Sequence, residues 1–138
     1  MKRGGFTLIE ILFAIMLVGL AVVGLVTSNV SFTQANSAGT NLSTAEFLIE
    51  QIRELTTMEA YENLHDFDGA AFSPPINANG EDLDAFGEFT QQITVENVNN
   101  TDFENVVADH TSNFVRITVR VLLNSRGISS VSWMRAQY

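Results

Sequence analysis

The chain has no cysteine, two prolines, one tryptophan, two histidines and only seven Lys plus Arg among its 138 residues. Each shortage closes off a class of function. Without cysteine there is no disulfide framework, no thiolate zinc site and no cysteine nucleophile, while the redox compartment stays open. Against 16 acids the few bases leave a net charge of -9. That argues against a general nucleic-acid binder or a polybasic membrane-surface protein, both of which need positive surface for phosphate. No glycine-rich phosphate loop or nucleophile motif occurs, so no cofactor and no catalytic residue is expected. His65 and His110 have no Ser, Cys or acid at a suggestive spacing and read as surface or loop histidines.

Charge is also absent locally. Between Arg3 and Glu46 the single charged residue is Glu10. All other acids lie between Glu46 and Asp109, with Arg53 the one base among them; after His110 come Arg116, Arg120, Arg126 and Arg135 and no acid. The chain therefore runs from a basic start through an apolar segment and an acidic middle to a basic end.

Phe6 to Val26 contains only Thr7 and Glu10 as polar residues. As a helix it would be about 31 Å long, matching the roughly 30 Å hydrocarbon core of a bilayer. Lys2 and Arg3 precede it and no base follows until Arg53, so the positive-inside rule keeps the N-terminus cytoplasmic and sends the remainder across in a single pass. A secretory signal peptide has a similar start, but Thr27-Ser28-Asn29-Val30-Ser31 is a poor small-x-small cleavage site. Glu10 is out of place in such a run, because an ionised group at the centre of a spanning helix costs about 2.5 to 3.5 kcal/mol. Snorkelling from the first turns toward headgroups is the ordinary account of it.

Lys2-Arg3-Gly4-Gly5-Phe6-Thr7-Leu8-Ile9-Glu10 resembles the cleavage and methylation motif of type IV prepilins and type II secretion pseudopilins. The resemblance implies cleavage between Gly5 and Phe6 by a prepilin peptidase and N-methylation of Phe6. It also implies an assembly role for Glu10, whose carboxylate would neutralise the N-terminal ammonium of an adjacent subunit as helices bundle. The partners implied are the peptidase, other pilin or pseudopilin subunits, an inner-membrane assembly platform and the membrane itself. The location implied is the bacterial inner membrane and a periplasmic or surface filament. Many members of the family carry a proline later in the anchor, whereas this chain has none before Pro74; Gly19 and Gly24 are the helix-weakening positions there instead. The specific resemblance covers roughly the first 30 residues.

Thr27 to Thr44 is uncharged and rich in Ser, Thr and Asn, a linker by composition. Apolar residues nevertheless recur every three to five positions from Val26 through Leu55, which predicts continuous helix with Gly39 as a weak point. The helix is expected to reach Leu64, a length of roughly 90 Å, before Asp66, Asp68, Gly69, Pro74, Pro75 and Asn79-Gly80 mark a loop. Three strands are expected at Phe89–Val98, Val115–Leu122 and Ile128–Arg135, with a hairpin turn at Asn124-Ser125-Arg126-Gly127. Their shared apolar face needs a cover, and Ile49, Ile52 and Leu55 supply one. The expected class is α+β, a long transmembrane and amphipathic N-terminal helix packed on a small antiparallel sheet. The expected segments are 1–5 (leader), 6–26 (spanning half of the helix), 27–64 (its extracytoplasmic half) and 65–138 (head).

Asp66, Asp68, Asp82 and Asp84, with Glu81, Asn77 and Asn79, are the candidate oxygen ligands for calcium, but their spacing fails the EF-hand template and a solvated acidic loop is expected. The four C-terminal arginines lack interleaved aromatics for stacking, so nucleic acid is not the expected partner. Cross-strand pairing with acids near Glu96 and Glu104 is one use for them. Contact between the basic end of one subunit and the acidic middle of the next is another. The reading is a structural subunit, a minor pilin or minor pseudopilin, and not an enzyme; the alternative is a membrane-anchored extracytoplasmic binding module that never polymerises.

Overall fold

The structure is a computed structural model that describes residues 7–109 and 111–137. The chain divides into two compact units, Met1–Thr40 and Asn41–Tyr138. Helix α1 runs over Leu8–Met58.

In the first unit every described side chain of α1 is exposed, and from Leu8 to Val26 its one polar residue is Glu10. A helix apolar on all sides and exposed along its described length is suited to a nonaqueous surrounding. The polar stretch that follows stays helical because its hydroxyls are satisfied inside the helix. Thr27, Ser31, Thr33 and Thr40 each donate to the carbonyl four residues earlier, at 2.9 to 3.1 Å.

In the second unit α1 becomes one-sided. Ala45, Leu48, Ile49, Ile52 and Thr56 are buried, at intervals of three and four, while Glu46, Glu50, Arg53 and Glu54 face outward. Glu50 and Arg53 form an ion pair at 3.1 Å. The buried stripe covers a four-stranded antiparallel meander of β1 (Ala71–Phe72), β2 (Phe89–Asn97), β3 (Phe114–Leu123) and β4 (Arg126–Ala136), ordered β1-β2-β3-β4. Val115, Ile117, Val119 and Val121 alternate inward and are fully buried, the period of two that marks a half-covered strand.

Three boundaries differ from expectation. The helix stops at Met58, not Leu64: Ala60 is extended (φ -64°, ψ 146°), and the carbonyls of Thr56 and Glu59 accept from the Arg135 side chain instead of from a further turn. Tyr61–Phe67 is a 3-10 helix that still delivers Leu64 to the core. The sheet has four strands, not three. β1 is too short to show any periodicity, and is fixed by pairing Ala71 with Gln92 and Phe72 with Gln91. The hairpin loop is Asn124-Ser125 alone, since Leu123 pairs with Arg126. Both loop residues have positive φ (48° and 68°), as a tight primed turn requires. Gly127 lies in β4, where an added Cβ would come within 2.8 Å of the Arg120 guanidinium.

Gln91 sits in the apolar phase of β2, fully buried, and all its polar atoms are used. Its Oε1 accepts the Ile76 N–H at 2.8 Å, and its Nε2 donates to the carbonyls of Leu48 at 2.9 Å and Ile76 at 3.1 Å. One side chain thus ties helix, loop and sheet together. Removing it leaves a buried N–H unpaired and a void, so Gln91→Ala should cost about 2 to 4 kcal/mol. Exposed Gln92→Ala should cost less than about 0.5 kcal/mol. Urea unfolding followed through Trp133 fluorescence measures both; equal losses would remove the special role of Gln91.

Candidate functional site

Of the residues singled out at the N-terminus, Lys2, Arg3, Gly5 and Phe6 lie outside the described residues, as does His110. Glu10 is within them, exposed, in the first turn of α1. Its N–H donates to Thr7 O at 3.0 Å and lies 3.4 Å from Thr7 Oγ1. Thr7 immediately precedes the helix and Glu10 is its third residue, so Thr7-x-x-Glu10 has the spacing of a capping box. That pattern is legible in the sequence. A carboxylate here also meets the positive end of the helix dipole. Glu10 therefore has a local structural use besides any contact with another chain. Around it Leu8, Ile9, Ile11, Leu12 and Phe13 are half to four-fifths exposed.

The candidate calcium ligands are dispersed. Asp68 Oδ1 accepts the Val95 N–H at 2.9 Å and so seals the edge of β2 beyond β1. Asp82 sits in an isolated bridge with Ile76, Asp84 opens a short 3-10 helix, and Asp66 is exposed within Tyr61–Phe67. Asn77 and Glu81 bind each other at 2.9 Å, and Asn77 Oδ1 also accepts the Asn79 and Glu81 N–H groups. Among the described residues no three His, Asp or Glu side chains converge.

His65 lines a cleft of about 100 Å3 with Tyr61, Glu62, Ser112, Asn113 and Gln137. Tyr61 Oη and Asn97 Nδ2 both donate to the Ser112 carbonyl, at 3.3 and 3.0 Å. Ser112 Oγ is engaged by Asn100 Oδ1 and by the Phe114 N–H. Burial raises the Tyr61 pKa, opposed by its hydrogen bond with Asn97. These groups fasten the β2–β3 connection to the segment after α1.

The four C-terminal arginines separate into two pairs. Arg116 faces Glu96 across β2 and β3 at 2.7 Å, the cross-strand use anticipated for it. Arg135 donates to the carbonyls of Thr56 and Glu59 at the end of α1, the second at 3.4 Å. Its charge meets the negative end of the helix dipole there. Arg120 and Arg126 are exposed near the β3–β4 hairpin, and among the described residues no ion pair includes either.

A family model described as "Prokaryotic N-terminal methylation motif" matches residues 1–26. This is the type IV pilin and pseudopilin signature, and it coincides with the segment recognised from Lys2 to Glu10. No curated protein and no solved structure is significantly similar to the chain.

The division among the arginines has a measurable consequence. Arg135→Met should lower stability by about 1 to 2 kcal/mol, since two helix-end carbonyls lose a charged donor. Arg120→Met and Arg126→Met should change it by less than about 0.5 kcal/mol. Urea midpoints compared across the three variants test this, and a comparable loss in all of them would contradict the division.

Proposed function

We propose that the chain is a structural subunit of a type IV pilus or type II secretion pseudopilus. The observation that carries the reading is the methylation motif over residues 1–26, with Glu10 in the first turn of a helix that is apolar and exposed on all sides. The α+β architecture, a long N-terminal helix with a four-stranded antiparallel sheet, supports it.

A prepilin peptidase cuts the Gly5-Phe6 bond from the cytoplasmic face, and Phe6 becomes the methylated N-terminus. Cutting ahead of the apolar run keeps the anchor on the mature protein, unlike ordinary signal processing. Segment 6–26 spans the inner membrane with Lys2 and Arg3 inside, and the chain beyond it is extracytoplasmic. Assembly then brings the anchors of several subunits together. The Phe6 ammonium and the Glu10 carboxylate, each costly in lipid, neutralise one another between neighbouring chains.

Co-expression with a prepilin peptidase and mass spectrometry of the N-terminus should show a chain beginning at N-methylated Phe6. An intact Met1, or a cut after Val26, would overturn the reading. The capping role of Glu10 calls for two substitutions. Glu10→Gln retains a capping-box residue but not the charge, and Glu10→Leu retains neither. If the charge registers subunits, both reduce filament yield at least ten-fold; wild-type assembly by Glu10→Gln would leave capping as the sole use of Glu10.

A further inference from the structure

Within the unit Asn41–Tyr138 the charges are sorted along the sheet. β3 is ten residues long, which at about 3.3 Å per residue sets its ends roughly 30 Å apart. At its start the β2–β3 connection presents Asp102, Glu104 and Asp109, all exposed. That loop is held in place. Phe103 packs edge-on against Phe114 at 5.0 Å, Asn99 N–H donates to Asn105 O at 2.9 Å, and Val107 N–H donates to Asn97 O at 2.9 Å. Asp102 accepts from the side chain and N–H of Asn105 and from the Glu104 N–H, which lowers its pKa. Both cations at this end, Arg116 and Arg135, are already engaged.

At the far end of β3 the balance is different. Arg120 and Arg126 are exposed beside the hairpin, and the Arg120 guanidinium lies over Gly127, where no Cβ intrudes. Glu88 and Asp84 share this end, so it is near neutrality while the other is acidic. The two guanidinium groups and the loop carboxylates cannot neutralise each other within one chain. Their separation is several times the roughly 8 Å screening length at physiological salt. Only another molecule can bring them together.

We infer that the Arg120–Arg126 hairpin end of one copy docks on the Asp102–Asp109 loop of a second copy, in a head-to-tail contact. The two surfaces are different patches, so the contact is heterologous and propagates instead of closing. Its axis follows α1 within this unit. Phe47, Phe86 and Phe89 meet in sequence at the hairpin end, tilted and then edge-on with centroids 5.8 and 6.5 Å apart, while Arg135 meets Thr56 and Glu59 at the loop end. Copies stacked along that axis set the exposed Arg120 and Arg126 side chains on an acidic loop. The inference deepens the filament reading and rests on it for the presence of neighbouring copies.

The absence of cysteine makes the test direct. The full chain carrying Arg126→Cys and Glu104→Cys is expressed in membranes with the peptidase and oxidised, beside a Val18→Cys control in the anchor. The head-to-tail contact predicts a ladder of dimers, trimers and longer products. Adding Arg120→Glu should cut its yield at least five-fold, and Asp109→Arg should restore it. A product that stops at the dimer indicates a closed two-fold contact and overturns the inference, as does no head product while Val18→Cys still crosslinks. Loss of the Val18→Cys product as well would sink the filament reading along with it.

Discussion

The seam between one face of α1 and the inner face of the sheet is what the head depends on. Ala45, Leu48, Ile49 and Ile52 close over Ile93, Val95, Val115, Ile117, Val119 and Val121, all buried. An open sheet of this size with one bare apolar face would not be stable in water, and a helix with an apolar stripe has the same need. Gln91 is the polar point inside the seam, and it fixes which turn of the helix faces which strand. Gln51 does similar work at the margin by accepting the Ala78 N–H at 3.1 Å. The loop between β1 and β2 is thereby held by two glutamines and its own turns.

Electrostatics in this chain follow from what each charge can reach. Glu96 and Arg116 are opposite one another on adjacent strands, so they pair. The pair is only half-buried, and solvent screening keeps its contribution to stability small. Arg135 is more consequential, because it satisfies carbonyls that the end of α1 would otherwise leave bare. Among the described residues Arg120 and Arg126 have no such task, and this is what motivates the proposed contact with a second copy. An overall charge of -9 conceals this arrangement, since the sum does not register position.

Glu10 shows how one residue can be subject to two physical demands. In the first turn of a helix a carboxylate is favourable, through the dipole and the capping-box spacing with Thr7. In a bilayer the same carboxylate is costly unless a cation is near. A position close to the N-terminus of the apolar segment satisfies the first demand directly, and in the proposed assembly a neighbouring chain meets the second. This accounts for an acid tolerated at that one place in an otherwise uncharged stretch reaching Glu46.

The sequence by itself determined the elements with strong periodicity. The apolar run, the one-sided stripe from Ala45, the alternation of Val115 to Val121 and the N-terminal motif are all local patterns, and a local pattern is sufficient to specify them. Tertiary structure alone decided the rest. A two-residue β1 exists only because β2 is there to pair with it. The helix ends at Met58 where Ala60 turns extended and a distant arginine takes the Thr56 carbonyl, and 79 residues separate Arg135 from Thr56. Gly127, which reads as a turn residue, instead makes room for Arg120, and the turn passes to Asn124 and Ser125. Gln91 interrupts the apolar phase of β2, a mark visible in the chain, but its three partners come from two segments that only folding brings near. Which arginines are occupied and which are left over is likewise a question of distance in space, and sequence order does not contain it.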